Sequence, residues 1–120
     1  MAASVRNLIT IATPHLGLFD GTTVSLLGDV ATAEMRAGSP FLRALNERPP
    51  TGSVRYGAIA GAAWGDGASD GLVGVDSALA SGVLSTARTA TLPLVHASRF
   101  GGAGMPCDAR VYETIRAWVR

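Results

Sequence analysis

Residues 5–12 read VRNLITIA. The run is short, apolar and rich in β-branched residues, and Thr13-Pro14 ends it. That length and composition predict a strand buried on both faces. Residues 54–61, VRYGAIAG, predict a second strand. Residues 86–95, TARTATLPLV, predict a third, with Pro93 near its end.

Helical signals fall between and after these runs. Residues 13–23, TPHLGLFDGTT, are expected to be a loop. Residues 24–37 mix apolar and polar positions, with Gly28 interrupting, and predict only a weak helix or a mobile segment. Ser39-Pro40 opens a better one: Ser39 suits the N-cap and Pro40 the first helical position. Phe41, Leu42 and Leu45 would form its apolar face, and Pro49-Pro50 stops it. Residues 72–80 are ambiguous, and residues 100–106, FGGAGMP, are expected to be a flexible loop. Asp108 then caps a final amphipathic helix with Val111, Ile115, Trp118 and Val119 on one face. Strands alternating with helices predict an α/β chain with about three parallel strands and flanking helices. There is no internal repeat.

Composition narrows the function classes. The 120 residues are 48% apolar and 16% charged, too apolar for a disordered chain and enough for one domain. All ten basic residues are arginine, spread from Arg6 to Arg120 without a run, and the net charge is +1. No phosphate-tracking surface is suggested, so nucleic acid is not an expected partner. Cys107 is the only cysteine, which excludes an intrachain disulfide and a structural zinc site; it is expected to be a small, partly buried thiol. No apolar run approaches the ~20 residues that span a bilayer.

The loop after the second strand carries the chemical signal. Gly67-Ala68-Ser69-Asp70-Gly71 matches G-x-S-x-G, the pattern of a serine nucleophile elbow. An elbow needs a strand running straight into the serine and a helix directly behind it. Ser69 instead follows a Gly/Asp-rich loop, and the GLVGV after it is poor helix-starting material. Chain order argues the same way. A serine of this type precedes its acid and histidine with strands and helices between them, and the interval from Ser69 to His96 holds one strand at most. Ser69 is therefore not expected to be a nucleophile. Asp66 and Asp70 match the start of a calcium loop, but Ala68 and Ser77 stand where ligands are required, so no metal is expected.

Three segments together change the weight of this loop. Residues 5–17, VRNLITIATPHLG, closely resemble the strand and loop just after the nucleophile helix in lipases and esterases of the α/β-hydrolase fold, where the segment typically ends in T-P-H-x-G. Residues 69–78, SDGLVGVDSA, resemble that family's acid loop, and residues 94–98, LVHAS, its histidine loop. The order matches the C-terminal half of such an enzyme over nearly the whole chain, with triacylglycerol-lipase-like and GPI inositol-deacylase-like proteins as the groups it is most similar to.

The resemblance implies that Asp70 is the triad acid and His96 the general base. Asp76 is the rival acid, and Asp70 is preferred. Imidazole can take a serine proton and return it to the leaving alcohol near neutral pH, and a carboxylate on its far nitrogen fixes the tautomer. His15 is expected to shape its loop rather than react. Residues 18–50 fall where such enzymes carry a lid or insertion over an acyl pocket, and would equally suit an ordinary core helix.

By the same resemblance the nucleophile strand and the oxyanion loop would precede residue 1. The chain is then the C-terminal portion of one α/β-hydrolase domain with an incomplete sheet. It is expected to be inactive alone, and poorly soluble or oligomeric through the exposed sheet edge. The implied function is a serine carboxylic-ester hydrolase acting on an ester or lipid substrate without a cofactor. Two alternatives stand beside it: a non-catalytic remnant that binds a partner, such as the missing N-terminal half, by strand addition, and an acyltransferase on the same scaffold.

Overall fold

The structure, a computed structural model, describes residues 5–18, 30–48, 54–63, 66–83, 88–97 and 104–120. Along them run β1 (Asn7–Ile11), α1 (Val30–Glu34), α2 (Pro40–Asn46), β2 (Arg55–Gly61), α3 (Val75–Ala78), β3 (Arg88–Leu92), a 3₁₀ turn (Met105–Cys107) and α4 (Ala109–Val119). The strands form an open, wholly parallel sheet in the order β1-β2-β3. Ile9 stands opposite Gly57 and Ile11 opposite Ile59; across the other pair, Ile59 meets Ala90 and Gly61 meets Leu92. The chain is a small α/β domain of three parallel strands flanked by helices among the described residues.

The middle strand explains the two layers. Gly57–Gly61 are all buried, as a central parallel strand requires. Successive side chains point to opposite faces, so Ile59 and Ala60 belong to different cores. On one face Ile59 meets Ala12, Leu94, Met105 and Val111, with Ile9, Ile11, Leu92, Ile115 and Trp118 packed around them. On the other Ala60 meets Leu18, Val73 and Ala78, with Met35 and Val75 alongside. Gly57 is required where α4 crosses β2: a methyl there would sit 2.6 Å from the Trp118 ring.

Several expectations are met and several are corrected. Ser39 caps α2 by accepting from the Leu42 N–H at 3.1 Å, with Pro40 at its start, and Asp108 accepts from the Arg110 N–H at the head of α4. The ambiguous residues 72–80 contain the single-turn helix α3. Of the weak helix expected over 24–37, Val30–Glu34 is helical, while Val24, Leu26, Leu27 and Gly28 lie outside the described residues.

The apolar face expected on α2 is not buried as a unit. Leu42 is buried, but Phe41 and Leu45 are each half exposed, because one short helix turns only one side chain inward here. On α4, Val119 is 48% exposed. It lies only about 40° beyond Ile115 on the same side of the helix, and its exposure follows from its place as the last helical residue. The loop expected over residues 100–106 is ordered structure at its end. Met105 is fully buried in the 3₁₀ turn, while residues 100–103 lie outside the described residues. Cys107 is exposed, not partly buried, because the tight turn that sends Met105 inward leaves Cys107 outward.

Candidate active site

The carboxyl ends of parallel strands collect the loops in an open α/β sheet, and sites form there. Here the segments after β1, β2 and β3 meet at that end. The loop after β2 turns back through Asp70. The Asp70 Oδ1 atom accepts from the Leu72 N–H at 2.9 Å and the Val73 N–H at 2.7 Å. The same residue's N–H donates to the Val73 carbonyl at 3.2 Å. Aspartate favours such turns because its short side chain reaches the backbone two or three residues on. Ser69 pairs with Gly74 in an isolated bridge, and the Val75 N–H donates to the Ala68 carbonyl at 2.9 Å, closing the loop base.

One oxygen of the buried carboxylate remains for chemistry. Asp70 is 2% exposed. Its Oδ2 atom accepts from His96 Nδ1 at 2.8 Å, and its main-chain carbonyl accepts from the His96 N–H at 2.9 Å. An ionised carboxylate can only accept, so this contact calls for a proton on Nδ1 and leaves Nε2 as the ring nitrogen without a described partner. The His96 side chain is 35% exposed, and no other described group hydrogen-bonds it. His96 follows β3 by four residues, and the Val95 carbonyl accepts from the Met105 N–H at 3.1 Å, which seats the histidine loop on the 3₁₀ turn.

Gly61 makes this convergence sterically possible, and nothing in the sequence beyond a glycine at a strand end pointed to it. A methyl at Gly61 would lie 2.5 Å from the Leu94 carbonyl oxygen, 2.6 Å from Asp70 Cβ and 2.7 Å from Met105 Sδ. Three chain segments thus press against one missing side chain.

The other sequence candidates sit apart from the pair. Ser69 is buried, and its hydroxyl accepts from the Gly71 N–H at 3.0 Å, within its own loop. Asp76, the rival acid, is exposed on α3 and makes no bond to His96. His15 Nε2 lies 3.1 Å from Thr10 Oγ1, and its carbonyl accepts from Asn46 Nδ2 at 2.8 Å. Burial holds the His15 imidazole below the ordinary histidine value, because desolvation disfavours the charged ring. Of the segment 18–50, the structure describes Leu18, α1 and α2; Phe19 and its neighbours up to residue 29 lie outside the described residues. No group of three or more potential metal ligands occurs among the described residues.

An open groove of about 500 Å³ runs between the loop after β1 and the acid loop, lined by Leu16, Leu18, Ala37, Ala68, Val75 and Asp76 among others. Neither Asp70 nor His96 lines it. The proton-transfer geometry belongs to the pair, and the groove is its apolar neighbour along the acid loop. Among the described residues no helix is long and apolar enough to cross a membrane. No family model, curated protein or solved structure matches this chain.

Proposed function

We propose that this chain carries the acid and the base of a serine carboxylic-ester hydrolase of the α/β-hydrolase type. The observation that carries the reading is the bond from His96 Nδ1 to a buried Asp70 carboxylate whose second oxygen is fixed by two backbone N–H groups. In the reaction, a serine hydroxyl attacks the ester carbonyl while His96 Nε2 takes its proton. Asp70 stabilises the imidazolium and holds its orientation, and the same proton then passes to the leaving alcohol. Water, activated in turn by Nε2, releases the acid.

Among the described residues the buried serines are engaged elsewhere: Ser39 caps α2, Ser69 bonds its own loop and Ser77 bonds the loop after β1. By the resemblance of VRNLITIATPHLG, the nucleophile would lie on a segment before β1 in the order of the fold. The test is a fluorophosphonate probe applied to this chain and to the chain extended by its upstream coding sequence. The reading expects labelling of an upstream serine in the extended protein, with Asp70→Asn lowering ester turnover roughly 10³–10⁴-fold. Labelling of Ser69 in the chain alone would invert the assignment.

A second reading, binding of a partner chain by strand addition, is favoured by one observation. The strand β1 has no neighbour on its outer side among the described residues, and Leu8 on it is 46% exposed.

A further inference from the structure

The acid loop and the loop after β1 form the two walls of the groove, and one hydroxyl joins them. Ser77, on α3, is buried. Its Oγ accepts from the Leu16 N–H at 3.0 Å and donates to the Gly17 carbonyl at 2.7 Å. A serine hydroxyl has one proton to give and lone pairs to accept with, and both functions are used here on adjacent residues. No other hydrogen bond between residues 13–18 and residues 66–83 occurs among the described residues.

The bond has a direct line to the acid. Ser77 sits on the helical turn Val75–Ala78, which grows out of the loop base closed by the Val75 N–H on the Ala68 carbonyl. Asp70 lies inside that closed loop and grips Leu72 and Val73. Residues 68–79 are therefore linked by hydrogen bonds into one unit, and His96 is tied to it through both the Asp70 side chain and its carbonyl. On the far side, Leu16 and Gly17 belong to a loop held to β1 by His15 on Thr10 and to α2 by Asn46 on the His15 carbonyl.

From this we infer that Ser77 is a positioning residue: it bolts the body that carries Asp70 to the end of β1, and so sets both where the Asp70–His96 pair stands over the sheet and how wide the groove is. The inference rests on the acid–base reading of that pair for its functional meaning, though not for its mechanics.

The test is amide hydrogen exchange by NMR on the 120-residue chain, comparing wild type with Ser77→Ala, Ser77→Thr and, as a control at an exposed serine three residues past the turn, Ser81→Ala. Ser77→Ala should speed exchange at least tenfold at Leu16, which loses its acceptor, and also at Val73 and His96, whose amides are held by the Asp70 body. Amides of Ile59 and Val111 in the opposite core should not move, which separates loosening of the loops from global unfolding. Ser77→Thr keeps the hydroxyl and should restore slow exchange at Val73 and His96; Ser81→Ala should match wild type. Acceleration confined to Leu16, or no recovery in Ser77→Thr, overturns the proposal. The protonation site of the His96 ring is read in the same samples. A ring protonated on Nε2 in wild type would defeat the acid–base reading, while accelerated exchange at Val73 in Ser77→Ala would still establish the bolt.

Discussion

Asp70 makes two kinds of bond, and substitutions can separate them. Asp70→Ala strips the acceptor from the Leu72 and Val73 N–H groups and from His96 Nδ1. Hydrogen bonds to charged groups contribute about 1.5–3 kcal/mol, so urea unfolding should show a loss of about 3 kcal/mol. Asp70→Asn keeps an oxygen for the turn but presents an amide N–H₂ to His96, and should cost less stability while forcing the ring to the other tautomer. His15 gives a pH signature. Burial lowers its folded-state value, so the unfolded chain binds the proton more readily and ν_U exceeds ν_N. Its contribution is complete above the ordinary imidazole value, about 6.5, and is lost as pH falls through the lowered folded-state value. Stability measured between pH 8 and pH 5 should therefore fall on acidification more steeply in wild type than in His15→Gln.

At the scale of elements, caps and breakers were legible in the sequence where the signal is local. Ser39-Pro40 and Asp108 start their helices because a hydroxyl or carboxylate there meets backbone N–H groups that have no other partner. Ser39→Ala should lower the unfolding free energy by about 1 kcal/mol. Asp70 and His96 were singled out by the resemblance of their loops to those of the α/β-hydrolases, and the structure brings the two side chains together at 2.8 Å. The part that was not legible depends on approach between distant segments. Gly61 is one glycine among fifteen until Leu94, Asp70 and Met105 are seen to converge on it. Gly61→Ala should cost about 2 kcal/mol in urea unfolding, through overpacking rather than a lost bond. The ambiguity over 72–80 has a similar origin. A four-residue helix carries too little periodicity to read, and α3 is held by the loop closure at Ala68 and by Ser77 rather than by its own propensity.

For the whole molecule, the sheet ends abruptly on both sides among the described residues, with β1 and β3 as edges. Apolar side chains on an open edge template association. Val5 and Leu8 are both substantially exposed along this edge. Leu8→Lys should shift the chain toward monomer in sedimentation analysis at a concentration where wild type associates, since a charge on the edge opposes pairing. An open edge at β1 was expected from the resemblance alone; nothing in the sequence indicated that the β1, β2 and β3 loops would be tied in series, from His15 through Ser77 and Asp70 to His96. At the end of that series stands one imidazole, hydrogen-bonded through Nδ1 to one carboxylate oxygen. The direct measurement is the nitrogen-detected tautomer of His96 in the folded chain. The expected result is a ring protonated on Nδ1, with that proton at low field, and a ring moved to the Nε2-protonated tautomer in Asp70→Asn. A His96 protonated on Nε2, or a spectrum unchanged in Asp70→Asn, would contradict the acid–base pairing.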